Sequence, residues 1–249
     1  MRRQIALITD FGAGPYIGQV RLCLGGLVPG VPVVDLVSDL PPFRPDLAAY
    51  LVPALARDLP DGLVYLCVVD PGVGGERAAL ALGVGKDWYV GPDNGLLALV
   101  ARRAQGPCLL RVAWRPQRLS MSFHGRDLFA PLAAVLCQGQ VPDSAPLPLA
   151  EMIGADWPDE QARVIYVDRY GNLITGLRSD QIDPASALHA GGQVLQFAPT
   201  FCAVPAGTAF WYANAFGLVE LAVNQGRADR RLGLGAGDPV AVAGPGPGA

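Results

Sequence analysis

An acidic residue, a glycine-rich loop and an arginine form the stretch of this sequence best suited to chemistry. The apolar run 63–69 ends at Asp70, and the loop 71–76, Pro-Gly-Val-Gly-Gly-Glu, leads to Arg77. The β-branched and aromatic residues of the run predict a strand buried on both faces. Ligands of open α/β sheets bind at the carboxyl ends of the strands, so the loop is predicted to lie at a binding edge. The same residues are equally typical of a tight turn capped by Asp70.

A second acid and a histidine occupy similar junctions. Asp10 follows a predicted strand, and His124 comes shortly before a predicted helix. Histidine is the usual proton carrier near neutral pH. Asp70, Arg77 and His124 would together supply a hydrogen-bond acceptor, a permanent cation and a switchable base, a set suited to activating water. Taken singly, each is also compatible with a cap or a packing position.

The elements that must position these residues alternate between strands and helices. This alternation predicts an N-terminal α/β domain, residues 1–140, with a largely parallel sheet flanked by helices. The sequence lacks both phosphate-loop fingerprints, Gly-Lys-Ser/Thr and G-x-G-x-x-G before a helix. Strands are predicted near 4–8, 31–37, 63–68, 78–84, 88–90 and 108–113, and helices at 16–27, 46–59 and 96–104 and from 128 onward.

The remainder of the chain is predicted to be a linker and an all-β domain. Residues 141–161 are rich in Pro, Gly, Ser, Asp and Glu, which favours a linker. Residues 162–249 contain regularly spaced short strands, which predict a small antiparallel β-barrel or sandwich. Asp168 and Asn172 flank a predicted hairpin turn, where these residue types are common for structural reasons alone.

Composition narrows the class of protein. The 249 residues are 51% apolar and 16% charged, typical of a globular chain, and the net charge of −3 offers no general attraction to nucleic acid or anionic membranes. Five scattered cysteines without a C-x-x-C pair predict free thiols in a reducing compartment. Two histidines are too few for a His-rich metal site. Without a run long enough for a signal peptide or a membrane span, we expect a cytoplasmic protein.

Six segments, in this order, resemble the S-adenosylmethionine hydrolases (hydroxide adenosyltransferases), relatives of the fluorinase and chlorinase. They span nearly the whole chain, and six matches in register are specific. The segments are Thr9-Asp10-Phe11-Gly12, Val69-Asp70-Pro71-Gly72-Val73-Gly74, Gly91-Pro92-Asp93-Asn94-Gly95-Leu96-Leu97, Phe123-His124-Gly125-Arg126-Asp127-Leu128-Phe129-Ala130-Pro131, Asp168-Arg169-Tyr170-Gly171-Asn172-Leu173 and Asn214-Ala215-Phe216-Gly217-Leu218-Val219-Glu220-Leu221-Ala222-Val223-Asn224.

The resemblance implies an α/β domain, a C-terminal β-barrel and a homotrimer whose sites lie between neighbouring subunits. It implies no cofactor, since S-adenosyl-L-methionine is the substrate. It also implies residue roles: water activation by Asp70, Arg77 and His124; the ribose hydroxyls held by Asp10; the nucleoside packed on Phe43; the methionine end held by Asp168 and Asn172; and an adenine wall of Asn214, Ala215, Phe216 and Val223.

The implied reaction is hydrolysis to adenosine and L-methionine by in-line attack at the ribose 5′ carbon. On this hypothesis Arg77 and a protonated His124 stabilise a hydroxide, and Asp70 orients them. Two departures from the family pattern affect binding: the loop after Gly12 is short and lacks an acid, and Ala215 stands where serine is common.

Two other functions are compatible with the sequence. A chlorinase-like transferase would put halogen rather than hydroxyl into the product. The complete trio and Gly125, which stands where the fluorinase has a halide-contacting serine, favour the hydrolase. A non-catalytic S-adenosylmethionine or adenosine binding protein would bind its ligand without turning it over.

Overall fold

In the computed structural model, which describes residues 4–243, the chain divides after Trp157 into two units. The division lies within residues 141–161, the segment predicted to be a linker. Part of that segment is regular structure of the first unit, because Ser144–Pro146 pairs with the strand Cys108–Val112.

The first unit is built on a seven-stranded sheet. Its strands are β1 (Gln4–Thr9), β2 (Val33–Val37), β3 (Leu63–Val68), β4 (Ala79–Val84), β5 (Asp87–Pro92), β6 (Cys108–Val112) and β7 (Ser144–Pro146). They lie in the order β2-β1-β3-β5-β4-β6-β7, which places β3 in the interior. The pairs β2-β1, β1-β3 and β3-β5 are parallel, whereas β4 and β7 run antiparallel to their neighbours. The largely parallel sheet is therefore confirmed, with β4 reversed because it forms a hairpin with β5.

Helices flank this sheet. They are α1 (Pro15–Leu27), α2 (Pro45–Leu55), α3 (Ala98–Arg103) and α4 (Ala130–Cys137), the last preceded by a π-helical turn, Gly125–Phe129, and followed by a 3₁₀ turn, Leu149–Glu151. Helices α1 and α4 pack against one another, and α4 contacts β3, while α2 and α3 pack together. The helix predicted to reach residue 59 ends at Leu55, and Asp58 has a left-handed backbone with φ of 59°, which an α-helix does not accommodate.

Every residue of β3 is buried, as its apolar sequence predicts. Its alternate side chains Val64, Leu66 and Val68 belong to a core that also contains residues of α1 and α4. The strand therefore has a fixed position in the sheet, and the loop that follows it starts from a rigid base.

The second unit consists of two antiparallel sheets and one short helix. Its elements are β8 (Gln161–Val167), β9 (Leu173–Arg178), β10 (Ala187–Ala190), β11 (Gln193–Leu195), β12 (Ala209–Ala213), β13 (Leu218–Val223), the unpredicted helix α5 (Ala228–Leu232) and β14 (Ala241–Ala243), with 3₁₀ turns at Ser179–Gln181 and Phe201–Ala203. The sheets have the orders β12-β13-β9-β8 and β11-β10-β14. The predicted antiparallel fold is confirmed, but the predicted β-barrel is wrong: within residues 158–243 neither sheet closes on itself. Two isolated bridges, Arg163 to Pro239 and Phe197 to Trp211, join β8 and β12 to residues beside β14 and β11.

Candidate active site

Asp70, Arg77 and His124, which the sequence suggests act together, are in direct contact. Nε of Arg77 donates to both carboxylate oxygens of Asp70, at 2.9 and 3.0 Å, and Nη2 completes the ion pair. The same Nη2 lies 2.9 Å from Nδ1 of His124. The side chains of Asp70 and Arg77 are only 5% and 10% exposed, so water screens this pair weakly.

The contact with Arg77 orients the His124 ring. A guanidinium has donors only, so Nδ1 of His124 accepts and the ring proton of the neutral imidazole is on Nε2. Burial and the positive charge of Arg77 lower the pKa of His124, and the negative charge of Asp70 opposes them. The contact and the lowered pKa favour a neutral imidazole whose remaining donor is Nε2–H, rather than the protonated His124 that the resemblance led us to expect.

The glycine-rich loop brings Asp70 and Arg77 close to the segment that carries His124. Gly74 has φ of 83°, and a Cβ atom there would lie 2.5 Å from the carbonyl oxygen of Met121. Gly75 N donates to the Gly72 carbonyl at 3.0 Å, which closes a tight turn. Only glycine combines this backbone conformation with so close an approach. The loop is therefore more than a connection, because it packs against the segment just before His124.

The ring of Phe129 packs against the Arg77 guanidinium, a role that the sequence pattern does not reveal. The guanidinium carbon lies 5.1 Å from the centroid of the Phe129 ring, which is fully buried. The π-helical turn Gly125–Phe129 sets this ring beside the cation, five residues after His124. A regular α-helical pattern identifies Phe129 only as a core residue, and π-turns leave no periodic signal in a sequence.

Asp10 and Phe43 are held together at the end of β1. The backbone N–H of Phe43 donates to Oδ2 of Asp10 at 3.2 Å. Burial raises the pKa of Asp10, and the charge of Asp70 adds to the rise, whereas the Phe43 hydrogen bond opposes it. Phe43 itself has φ of 63° and is 72% exposed. A left-handed conformation is strained for an aromatic residue, and such strain is concentrated at functional sites.

A cavity of about 350 Å³ lies in the first unit, where Asp10, Asp70 and His124 meet. Arg77 contacts Asp70 and His124 but is not among the residues that line the cavity. Tyr16 and Phe123, which sequence analysis did not single out, form an aromatic wall with ring centroids 5.2 Å apart. The lining consists of Asp10, Phe11, Tyr16, Pro42, Phe43, Val68, Asp70, Val73, Ser122, Phe123, His124 and Gly125.

In the second unit, Asp168 and Asn172 pair across the β8–β9 hairpin turn. The backbone and side-chain nitrogens of Asn172 donate to Oδ1 and Oδ2 of Asp168 at 2.8 and 3.0 Å. These bonds are what a turn-stabilising pair makes. Asn172 also lines a cavity of about 540 Å³ together with Tyr170, Phe201, Gln225, Gly226 and Arg227. The pair therefore has a structural task, and its Asn172 member also lies at a cavity.

The predicted adenine wall is split between surface and core. Oδ1 of Asn214 accepts from the backbone N–H groups of Phe216 and Leu218, at 3.0 and 2.9 Å, which shapes the turn before β13. Ala215 and Phe216 are exposed, whereas Val223 is 4% exposed and packs in the core of this unit. The side chain of Val223 thus packs against other core residues, so the backbone of Val223 is the part that can contact a ligand.

The part of the chain that the structure describes offers neither a clustered metal site nor a membrane-spanning helix. Within residues 4–243, no group of three or more His, Cys, Asp or Glu side chains is arranged to hold a metal ion. None of the helices in this part of the chain has the length and apolar character needed to cross a membrane.

The fold and site define a class of two-unit proteins. The first is an α/β unit with a charged cavity at its strand ends, and the second is an antiparallel β unit. Both units match family models: residues 5–145 match the SAM hydroxide adenosyltransferase N-terminal domain, and residues 162–241 match the corresponding C-terminal domain. The chain belongs to the SAM hydroxide adenosyltransferase family.

Curated relatives support this assignment over nearly the whole chain. An (R)-S-adenosyl-L-methionine hydrolase of Thermus thermophilus is 38% identical, covering 96% of this chain and 98% of the relative. A protein of the same name from Salinispora arenicola is 34% identical, covering 96% and 97%.

Solved structures show the same fold. An uncharacterized conserved protein from Thermotoga maritima superposes with a TM-score of 0.82 at 27% identity, covering 96% of this chain and 99% of that one. A conserved hypothetical protein from Thermus thermophilus has a TM-score of 0.74 at 36% identity, covering 97% and 100%.

Proposed function

We propose that this protein hydrolyses S-adenosyl-L-methionine to adenosine and L-methionine. The observation that carries the proposal is the Asp70–Arg77–His124 cluster at the cavity of a chain belonging to the SAM hydroxide adenosyltransferase family. The names of the relatives specify the (R) configuration at sulfur. Both sulfonium epimers are therefore substrates to be tested, and we expect the (R) epimer to be the better one.

The reaction is a displacement at the ribose 5′ carbon. Water attacks in line with the carbon–sulfur bond, a carbon–oxygen bond forms, and the electron pair of the broken bond stays on sulfur. Methionine leaves as a neutral thioether, so the leaving group needs no acid. The attacking water loses one proton, and this deprotonation is where the protein's side chains contribute. No cofactor takes part in this scheme.

Asp70 and His124 act on the water from the cavity wall. The Asp70 carboxylate accepts a hydrogen bond from the water and takes its proton as the carbon–oxygen bond forms. Nε2–H of His124 donates to the water oxygen and orients its attacking lone pair. Arg77, behind both, fixes their positions. A water oxygen that is bonding to carbon becomes strongly acidic, so a carboxylate suffices as the base.

Electrostatics favour the displacement inside this cavity. The sulfonium is a cation, and Asp10 and Asp70 are the acids in the cavity wall. As the bond to sulfur breaks, the positive charge is lost from the substrate and leaves with the proton. Because Asp70 takes the proton while the sulfonium loses its charge, the two opposite charges diminish together, and a site that solvates ions poorly favours this change.

Asp10 and Phe43 are proposed to bind the nucleoside. A carboxylate is a natural acceptor for two neighbouring ribose hydroxyls. The exposed Phe43 ring can stack on the adenosine moiety, and the Phe43 N–H holds the Asp10 carboxylate in place.

The second unit is proposed to bind the remaining parts of the substrate. Asp168 would pair with the methionine ammonium, supported by Asn172, and the 214–223 segment would contact adenine. We propose that the protein is a homotrimer in which each site combines the first unit of one subunit with the second unit of its neighbour. The absence of an acid in the loop after Gly12 and the alanine at 215 remove polar contacts from this scheme.

Packing around Gly125 disfavours the halide-contacting serine that the fluorinase has at this position. A Cβ atom at Gly125 would lie 2.7 Å from Cζ of Phe11, so a serine there requires that ring to move. The complete set of Asp70, Arg77 and His124 leads us to expect water rather than chloride as the nucleophile.

We place the protein in the cytoplasm. None of the five cysteines is paired in a disulfide, which suits a reducing compartment.

The proposal is tested with each sulfonium epimer in oxygen-18 water, with and without chloride, and mass analysis of the products. We expect the label in the 5′ hydroxyl of adenosine and none in methionine. A chlorinated nucleoside would establish the halide transferase instead. Tight binding without any product would establish a binding protein.

A further inference from the structure

Glu220, on β13, is a buried carboxylate that the scheme above does not use. It is 4% exposed and lies opposite Tyr212 of β12. Beside it, Phe210 and Ala222 form a small apolar cluster. A carboxylate in such surroundings is costly unless hydrogen bonds satisfy it. Its partners therefore indicate what it does.

Two side chains donate to this carboxylate. Tyr212 Oη donates to Oε1 at 2.6 Å, and Nδ2 of Asn214 donates to Oε2 at 2.8 Å. One of the two donors, Asn214, belongs to the proposed adenine contacts.

The bond to Glu220 determines how the Asn214 amide is oriented. Oδ1 of Asn214 already accepts two backbone N–H groups, so Nδ2 must find an acceptor, and Glu220 supplies it. Removing the Glu220 carboxylate would release this amide.

We propose that Glu220 is a positioning residue that holds the Asn214 side chain, and with it the proposed adenine contacts of the second unit, in one arrangement. The inference rests on the proposed function. Burial and the nearby charge of Asp168 raise the pKa of Glu220, whereas the hydrogen bonds from Tyr212 and Asn214 oppose the rise. The bonds thus offset part of the cost of keeping an ionised carboxylate here.

The test compares Glu220→Gln with Glu160→Gln in steady-state kinetics and thermal unfolding of the full-length protein. Glu160 is a matched control, because it also supports β9 of this unit by accepting from the backbone N of Arg178 at 2.5 Å and pairing with its side chain. We expect Glu220→Gln to raise KM about tenfold with little change in kcat, the loss of a hydrogen bond to a charged group. Glu160→Gln should lower the melting temperature and leave KM unchanged.

An unchanged KM in a folded Glu220→Gln variant, or an equal rise in KM for both variants, would overturn the inference. If Glu220→Gln does not fold, Tyr212→Phe decides, because it removes one donor to the same carboxylate. A rise in KM of about twofold supports the inference, and an unchanged KM refutes it. A wild-type protein that neither hydrolyses S-adenosylmethionine nor binds adenosine would remove the proposed function as well. Normal wild-type turnover with an unaffected variant would remove the inference alone.

Discussion

Arg77 differs from its two partners because it contacts both of them and does not line the cavity. Its guanidinium is surrounded by the Asp70 carboxylate, Nδ1 of His124 and the Phe129 ring. These contacts hold the Arg77 guanidinium in one position. The guanidinium in turn favours the His124 tautomer that carries its proton on Nε2. The chemistry assigned to His124 is therefore that of a hydrogen-bond donor to water.

Replacing His124 should reduce turnover far more than binding. His124→Ala removes the Nε2–H donor, and we expect kcat to fall about 100-fold or more, because oriented donors at a reacting oxygen typically contribute that much. Adenosine affinity, measured by calorimetry, should change little. The control is His189→Ala, since His189 is exposed on β10 in the other unit. Near-normal turnover of His124→Ala would contradict the assigned role.

The lowered pKa of His124 predicts a dependence of stability on pH. Its folded-state pKa lies below the ordinary value of 6.5, so between the two values the unfolded chain binds more protons. The contribution of His124 to the free energy of unfolding is present above 6.5 and is lost as pH falls toward the folded-state pKa. We expect the difference in unfolding free energy between wild type and His124→Asn, measured by urea titration, to shrink as the pH is lowered through this window. A difference independent of pH would count against a neutral, buried imidazole.

The loop between β3 and β4 and the π-helical turn after His124 are the two irregular elements that assemble the cluster. One needs glycine for its backbone, and the other needs a widened helical turn to bring Phe129 under Arg77. Neither Gly74 nor Phe129 supplies a reacting atom. Both set distances between the residues assigned to the reaction.

Gly74→Ala should be markedly more harmful than Gly85→Ala. Both glycines have positive φ, but a Cβ atom at Gly85 meets nothing within 4 Å, whereas at Gly74 it meets the Met121 carbonyl. We expect losses of stability of about 2 to 4 kcal/mol for Gly74→Ala and about 1 to 2 kcal/mol for Gly85→Ala, with a fall in kcat for the first only. Denaturant titration and kinetics measure both effects. Equal losses would mean that the contact with the Met121 segment is unimportant.

Elements with a regular apolar periodicity could be predicted from the sequence, whereas contacts that depend on irregular geometry could not. The apolar run 63–68 and the spacing within Pro15–Leu27 follow simple rules, so β3 and α1 could be anticipated. The lowered pKa of His124 could not, because it depends in part on a contact with Arg77, 47 residues away in the chain. The role of Glu220 was hidden for the same reason, since alternation along β13 does not reveal which buried residue is bonded to Asn214 and Tyr212.

Across the whole molecule, the proposed substrate contacts are divided between two units, which predicts shared sites in a trimer. Light scattering should give three times the monomer mass. Co-refolded His124→Ala and Asp168→Asn subunits should regain activity, because about one quarter of randomly assembled shared sites receive both intact units. If each site lies within a single subunit, the mixture should be no more active than its components. An active monomer would also refute the proposal.

At position 43, selection for thermal stability and selection for activity favour different residues. Its left-handed backbone costs about 1 kcal/mol or more for a side chain of this shape, and glycine or asparagine would relieve that cost. A laboratory screen that rewards only resistance to heat would therefore tend to discard the aromatic ring at the mouth of the cavity. Phenylalanine would persist at position 43 only if the screen also demanded catalysis. The residue found at this position would therefore show whether a screen selected for stability alone or for stability and activity together.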